Sequence, residues 1–161
     1  MPWAVTWLRL IDKRISSTLG GIDIPHKILV ADDDESFRQF MTQVLSSRAF
    51  RVTAVANGRQ AVEEVTRGDA DMLISDIQMP DFDGRDLCRF VKSRPETKNM
   101  PVVLVSGLTD IRDPATSVGA DGFMQKPFSL DDLFALINRL LGARMPLGLL
   151  GLGSTKVTSV R

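Results

Sequence analysis

The sequence predicts an α/β fold, a doubly wound, five-stranded parallel sheet with helices on both faces. Five short apolar segments alternate along the chain with segments whose apolar residues recur at helical spacing. The apolar segments are nearly continuous, as is typical of parallel strands that are buried on both faces. Strands of this kind are joined by right-handed crossovers, which place the intervening helices over the sheet.

The five strands are predicted at residues 28–31, 51–56, 71–75, 101–105 and 122–125. Four helices are predicted from their apolar faces, which are Phe37, Phe40, Met41, Val44 and Leu45; Ala61, Val62 and Val65; Leu87, Phe90 and Val91; and Leu130, Leu133, Phe134, Ile137, Leu140 and Leu141. Gly68 closes the second helix and Pro95 stops the third, since proline cannot continue the hydrogen-bond ladder. Ser129 is the expected N-cap of the last helix.

One ordered domain, residues 27–141, is expected between two extensions. Residues 1–26 carry apolar side chains at helical spacing, typical of an amphipathic helix. Such a helix could pack on its own domain or on a second copy of the chain, dock on a partner or a membrane surface, or stay disordered. Residues 142–161 are rich in Gly, Leu, Ser and Thr without periodicity, which favours a flexible tail.

Composition excludes several classes of function. The 20 Lys and Arg residues balance 20 Asp and Glu residues, which argues against direct binding of nucleic acid. A single cysteine, Cys88, excludes an internal disulfide, and a single histidine, His26, excludes a His-rich zinc site. No apolar run approaches the ~20 residues that span a bilayer, and no secretion signal is visible. We therefore expect a cytoplasmic protein whose chemistry rests on carboxylates, hydroxyls and lysine. Residues 1–26 are short and only weakly cationic, which argues against membrane contact.

Side chains that bind cations or phosphate follow four of the predicted strands. Asp32 and Asp33 follow the first strand, Asp76 the third, Ser106 the fourth and Lys126 the fifth. The carboxyl ends of parallel strands lie along one edge of a sheet, so these residues should share one crevice. Clustered carboxylates repel one another unless a cation lies among them, and oxygen donors favour Mg²⁺.

A combination of metal ion, lysine and hydroxyl suits phosphoryl transfer. A metal ion and Lys126 would neutralise the charge that develops on the phosphoryl oxygens, while one carboxylate serves as nucleophile. Asp76 is the best nucleophile by position, because it stands alone at the end of a central strand. Pro80 and Gly84 are expected to fix the loop that follows it.

Four motifs resemble those of the receiver domain of bacterial response regulators in two-component signalling. They are ILVADDD at 28–34, ISDIQMPDFDG at 74–84, VLVSG at 103–107 and KPF at 126–128. Each motif alone has limited specificity for this family. The order of the four motifs and their positions at strand ends make the set highly specific. The resemblance covers about residues 27–141 and implies a flavodoxin-like fold.

The resemblance also implies roles for these residues. Asp76 would accept phosphate from a phosphohistidine on a sensor histidine kinase or phosphotransfer protein. Asp33 would bind Mg²⁺ directly and Asp32 directly or through water, with the backbone carbonyl of Gln78 as a further ligand. Lys126 would pair with the phosphoryl oxygens, and its peptide bond to the following proline would be cis.

Ser106 and Phe123 are the switch residues that the resemblance implies. The Ser106 hydroxyl would hydrogen-bond the new phosphate, and Phe123 would occupy the coupled aromatic switch position, although packing in the core is an equally good interpretation of Phe123. The added charge would favour one of two conformations. A downstream protein target would then read a changed surface near the fourth and fifth strands.

Two features depart from the family. The segment between Ser106 and Lys126 is slightly shorter than usual, so residues 113–118 are expected to form a helix of about one turn or a loop. That expectation places the usual output surface in doubt. The long amide of Gln78 would contact the attacking water and so affect the lifetime of the phosphate.

The residues after 141 are too few for a helix-turn-helix domain, which favours a stand-alone receiver that signals through partner proteins. We expect a phosphoacceptor that assists its own phosphorylation and dephosphorylation rather than an enzyme. Two alternatives remain open. One is a degenerate receiver that acts as a scaffold without phosphate. The other is an aspartate-nucleophile phosphohydrolase of the haloacid-dehalogenase type, although that family places Asp-x-Asp after the first strand and adds a cap domain.

Overall fold

The computed structural model describes residues 25–107 and 118–142. Five strands and four helices lie in these two ranges. In chain order they are β1 (Lys27–Ala31), α1 (Glu35–Ser46), β2 (Arg51–Val55), α2 (Gly58–Arg67), β3 (Met72–Asp76), α3 (Gly84–Ser93), β4 (Val102–Ser106), β5 (Gly122–Gln125) and α4 (Leu130–Leu141).

The strands form one parallel sheet in the order β2-β1-β3-β4-β5. The predicted α/β fold with five parallel strands is therefore confirmed. The chain changes its direction of winding between β1 and β3, and ligands of open α/β sheets bind at such a switch point. Asp32 follows β1 and Asp76 ends β3, so both residues lie at this position.

Helices cover both faces of the sheet. On one face α2 and α3 bury a cluster with the strands that includes Leu29, Leu73, Leu104, Val65, Leu87 and Val91. On the other face α1 and α4 bury a second cluster that includes Ile28, Ile74, Val105, Met41, Leu45 and Ile137. Alternate residues of the central strands contribute to opposite clusters, as expected of strands that are buried on both sides.

The predicted bounds of four of the five strands were wrong by one residue. β1 begins and β2 ends one residue earlier than predicted. β3 and β4 begin one residue later than predicted, and they end on Asp76 and Ser106 rather than before them. Asp76 remains in the ladder because it pairs with Val105, whose carbonyl accepts the next backbone N–H at 2.9 Å. Asp71 lies outside the strand, and its carboxylate accepts the backbone N–H of Lys27 at 2.8 Å.

Helix ends follow the local signals in the sequence. The predicted N-cap Ser129 is confirmed, since its hydroxyl accepts the backbone N–H of Asp132 at 3.1 Å. Gly68 closes α2 in the left-handed conformation with φ 74°, and α3 ends at Ser93, just before Pro95. Polar side chains therefore cap the start of each helix, and glycine or proline follows the ends of α2, α3 and α4, whereas α1 ends at Ser46 without either.

Several predictions fall outside the described residues. They concern nearly all of the extension at 1–26, most of the short helix or loop at 113–118, and the tail at 142–161, of which only residue 142 is described. The boundaries of the domain, residues 27–141, thus stay a prediction. Among the helices of the described ranges, none has the length and apolar character needed to cross a membrane.

Candidate functional site

Asp32 is fixed by contacts in the loop between β1 and α1. Its side chain is buried, with 1% of the residue exposed. One carboxylate oxygen accepts the backbone N–H of Asp34 at 2.9 Å, and the other accepts the ammonium of Lys126 at 2.7 Å. The guanidinium of Arg38 donates to the backbone carbonyl of Asp32 at 2.8 Å. Asp34 is also the N-cap of α1, so the helix and the acid loop hold each other in place.

Asp76 is the second carboxylate of the site. The residue is 7% exposed, and its Oδ1 accepts the Lys126 ammonium at 3.0 Å. Burial raises the pKa of Asp76; the Lys126 ammonium and the backbone N–H of Gln78 lower it, the nearby charge of Asp32 raises it, and the net shift is upward. Ionisation of Asp76 is therefore less favourable in the folded protein than in water. A second cation at the site would make it more favourable.

Lys126 joins the two carboxylates to the fifth strand. Its backbone N–H donates to the carbonyl of Ser106 at 2.8 Å, which extends the ladder between β4 and β5. Burial opposes the charge on the ammonium, but hydrogen bonds to Asp32 and Asp76 outweigh it and raise the pKa of Lys126. The peptide bond from Lys126 to Pro127 is cis, as expected.

The loop after Asp76 depends on a close backbone approach. A Cβ on Gly84 would lie 2.0 Å from the carbonyl oxygen of Asp76, so only glycine fits there. The backbone N–H of Gly84 donates to the carbonyl of Ile77 at 2.9 Å. Asp81, in the same loop, has φ 67°, a conformation that Asp and Asn tolerate better than most residues. These contacts bring the N-terminus of α3 against the end of β3.

Asp32, Asp76 and Lys126 are thus brought together by the fold. Asp33 follows Asp32 directly, but its side chain is exposed. The side chain of Gln78 is exposed as well, while its backbone N–H contacts Asp76.

Ser106 and Phe123 lie on the neighbouring strands β4 and β5, and Phe123 pairs with Leu104, two residues before Ser106. Ser106 is buried at the end of β4 and is tied to Lys126 through its carbonyl. Phe123 lies on β5 with 38% of the residue exposed. The interpretation of Phe123 as a core residue is therefore wrong, because β5 is an edge strand whose alternate residues face outward. Its role as a switch stays a prediction.

Two residues that contact the site were not predicted from the sequence. The ammonium of Lys126 lies 3.9 Å from the centroid of the Phe37 ring, and Arg38 holds the Asp32 loop. The sequence assigned Phe37 only to the apolar face of a helix. The available signal was that this helix begins immediately after the acidic run, which brings its first turn close to the carboxylates.

The candidate metal ligands of the site fit a hard divalent cation. All are oxygen atoms, and Mg²⁺ is commonly bound by one or two carboxylates together with waters and substrate phosphate. Within residues 25–107 and 118–142, no three acidic, imidazole or thiol side chains are grouped as a ready-made metal site. Asp32 and Asp76 supply two carboxylates, and the exposed Asp33 is adjacent. The residues present therefore fit Mg²⁺ bound partly through water and backbone oxygens.

Comparison with known proteins identifies the family. A family model described as the response regulator receiver domain matches residues 28–138. This chain belongs to that family. The receiver is 34% identical over 116 residues to the transcriptional regulatory protein GltR of Pseudomonas aeruginosa, covering 71% of this chain and 48% of GltR. It is 32% identical over 117 residues to the transcriptional regulatory protein CusR of Escherichia coli, covering 71% and 51%. The chain thus spans about half the length of these relatives.

Solved receiver structures share the fold. A response regulator from Chloroflexus aurantiacus matches with a TM-score of 0.71 and 29% identity, covering 74% of this chain and 100% of the other. The receiver domain of a sensor histidine kinase from Pseudomonas aeruginosa matches with a TM-score of 0.69 and 25% identity, covering 74% and 100%. That second structure has a magnesium ion coordinated in its active site cleft. The flavodoxin-like receiver fold expected from the sequence is therefore confirmed.

Proposed function

We propose that this receiver accepts a phosphoryl group on Asp76 from a phosphohistidine of a sensor histidine kinase or phosphotransfer protein. The observation that carries the proposal is the position of the Lys126 ammonium, 2.7 Å from Asp32 and 3.0 Å from Asp76. A carboxylate oxygen of Asp76 attacks phosphorus, the phosphorus–nitrogen bond to the donor breaks, and its electron pair returns to the imidazole. The product is an acyl phosphate on Asp76 and a free histidine on the donor.

The metal site of the proposal consists of Asp32, Asp33 and Asp76 with the backbone carbonyl of Gln78. Mg²⁺ bound there would neutralise part of the charge on the phosphoryl oxygens. Asp32 already has both carboxylate oxygens in hydrogen bonds, so it is held in place before any ion binds. Asp33 is exposed and is free of that constraint. This difference supports Asp33 as the direct ligand and Asp32 as a ligand that binds directly or through water.

In this proposal Lys126 acts during and after transfer, and Ser106 and Phe123 act after it. The Lys126 ammonium pairs with a phosphoryl oxygen, and the Ser106 hydroxyl donates a hydrogen bond to the phosphate. Because Ser106 and Lys126 are joined through the backbone at 2.8 Å, a movement of one is transmitted to the other. Phe123, exposed on the adjacent strand, would then change position and alter the surface that a downstream protein binds.

The receiver is proposed as a phosphoacceptor that assists its own phosphorylation and dephosphorylation and has no separate substrate. A phosphohydrolase would need its nucleophile directly after the first strand. Asp32 occupies that position, but the family model that matches residues 28–138 is that of the receiver domain. Membership of the receiver family favours phosphoacceptance on Asp76 over hydrolysis of a phosphate ester.

Labelling with a small phosphodonor such as acetyl phosphate tests the proposal. Wild type, Asp76→Asn and the matched control Asp81→Asn are each incubated with radiolabelled donor, with Mg²⁺ or with a chelator. Asp81 is an exposed carboxylate in the same loop, and its φ of 67° suits Asn. We expect label on wild type and on Asp81→Asn with Mg²⁺ only, and none on Asp76→Asn. Absence of label on wild type would instead support the phosphate-independent scaffold.

A further inference from the structure

We propose that Phe37 is a positioning residue for phosphoryl transfer, whose ring holds the Lys126 ammonium beside the two carboxylates. The proposal rests on the proposed function, because it concerns the same lysine. It goes beyond that function by assigning a role to an aromatic side chain on α1 that carries no reactive group.

The contact between the ring and the ammonium is direct. The Nζ atom of Lys126 lies 3.9 Å from the centroid of the Phe37 ring. A cation within about 6 Å of an aromatic face is attracted by the negative potential of that face. The ammonium has three N–H bonds. The carboxylates of Asp32 and Asp76 accept two of them, and the ring is the third close neighbour.

Other aromatic rings hold Phe37 in place. Its ring meets that of Phe128 edge-on, with centroids 6.1 Å apart and an interplanar angle of 89°. It also contacts the ring of Phe40 at 6.4 Å. Phe128 comes two residues after Lys126, so the pair of rings ties α1 to the loop that carries the lysine. Such aromatic pairs prefer edge-to-face and offset geometries of this kind.

The ring matters because lysine is long and flexible. The Lys126 side chain is still 27% exposed, so water and other rotamers are accessible to it. Fixing a lysine side chain has an entropic cost, and transfer is fastest when the charge that stabilises the phosphoryl oxygens is already in place. The Phe37 ring limits the positions of the ammonium without removing a hydrogen-bond donor from the site.

Stepwise fluorination of Phe37 tests the proposal. Phenylalanine carrying one, two or three ring fluorines is incorporated at position 37, which weakens the negative ring face with little change in shape. We expect the initial rate of Mg²⁺-dependent labelling by acetyl phosphate to fall at each step, by about threefold to tenfold overall. The same series at Phe90, whose ring centroid lies 5.0 Å from the Arg94 guanidinium and which takes no part in the site, is the matched control and should leave the rate unchanged.

Conventional variants add a second readout. Phe37→Leu should slow labelling to a similar extent, whereas Phe37→Trp, which retains an aromatic face, should restore most of the rate. Far-ultraviolet circular dichroism confirms that each variant is folded. Rates that do not change with fluorination at position 37, in a protein whose wild type is labelled on Asp76, would overturn this inference alone. A wild type that takes no label would overturn the proposed function and this inference with it.

Discussion

At the scale of single residues, the site consists of two buried carboxylates that share one ammonium. Lys126 satisfies both at 2.7 and 3.0 Å, but it supplies one positive charge against two negative ones. The pKa of Asp76 is raised by burial and by the charge of Asp32, against the lowering effect of Lys126. This imbalance is unfavourable for the unliganded fold and favourable for binding a divalent cation.

Stability should therefore respond to Asp76 in a pH-dependent way. A carboxyl whose pKa is raised on folding contributes stability below its unfolded value, here 3.8, and that contribution is lost as pH rises through the folded pKa. Asp76→Asn removes this loss of stability at high pH, because the amide stays neutral at every pH. We expect Asp76→Asn to raise the urea midpoint of the metal-free protein at about pH 7.5 and to change it much less at about pH 4.

Asp81→Asn is the control for this experiment, since Asp81 is exposed and should show no comparable gain at either pH. A urea midpoint of Asp76→Asn that lies below that of wild type at neutral pH would contradict the assignment of Asp76 as a carboxylate that is costly to ionise.

Part of the site could be predicted at this scale. Asp32, Asp76 and Lys126 were expected to meet because parallel strands end at one edge. Phe37 and Arg38 were not, because their contacts depend on how α1 is rotated against the loop after β5. That rotation results from packing across the sheet and cannot be deduced from periodicity alone.

At the scale of elements, the connection between β3 and α3 is the most constrained part of the site. The backbone of Gly84 approaches the carbonyl of Asp76 so closely that a Cβ would overlap it, and the obstructing atoms belong to the backbone. Backbone atoms cannot rotate away as the end of a flexible side chain can. The first residue of α3 therefore sets the position of the proposed phosphoacceptor.

Gly84→Ala should destabilise the fold even though alanine favours helices. We expect a loss of about 1 to 3 kcal/mol in the free energy of unfolding, measured with urea, because the strand end or the helix must shift. Labelling of Asp76 should fall as well. Gly107→Ala is the matched control, since a Cβ at Gly107 meets nothing within 4 Å. Equal effects of the two substitutions would contradict the proposed constraint.

Element boundaries show what sequence patterns can and cannot predict. The cap at Ser129 and the glycine end of α2 were predicted, because both arise from interactions between residues close in sequence. The ends of β3 and β4 were displaced by one residue, because the register with neighbouring strands decides them. Hydropathy alone places polar residues such as Asp76 outside a strand, although Asp76 completes the hydrogen-bond ladder of β3 with β4.

At the scale of the whole molecule, the strand order brings together residues that are far apart in sequence. The lysine–carboxylate contacts span 94 and 50 positions along the chain. The order β2-β1-β3-β4-β5 makes these contacts possible, because it places the ends of β1 and β3 side by side. The resemblance to the receiver family predicted this topology, whereas alternation of strands and helices predicted only a parallel sheet.

The central claim is that Asp76 is the carboxylate that receives phosphate. The most direct measurement is chemical mapping of wild-type protein after reaction with acetyl phosphate and Mg²⁺. Borohydride reduces an aspartyl phosphate to the alcohol, and mass spectrometry of the resulting peptides identifies the reduced residue. We expect reduction at position 76 alone, and none when the ion is chelated. Reduction at Asp32 or Asp33, or at no residue, would contradict the claim.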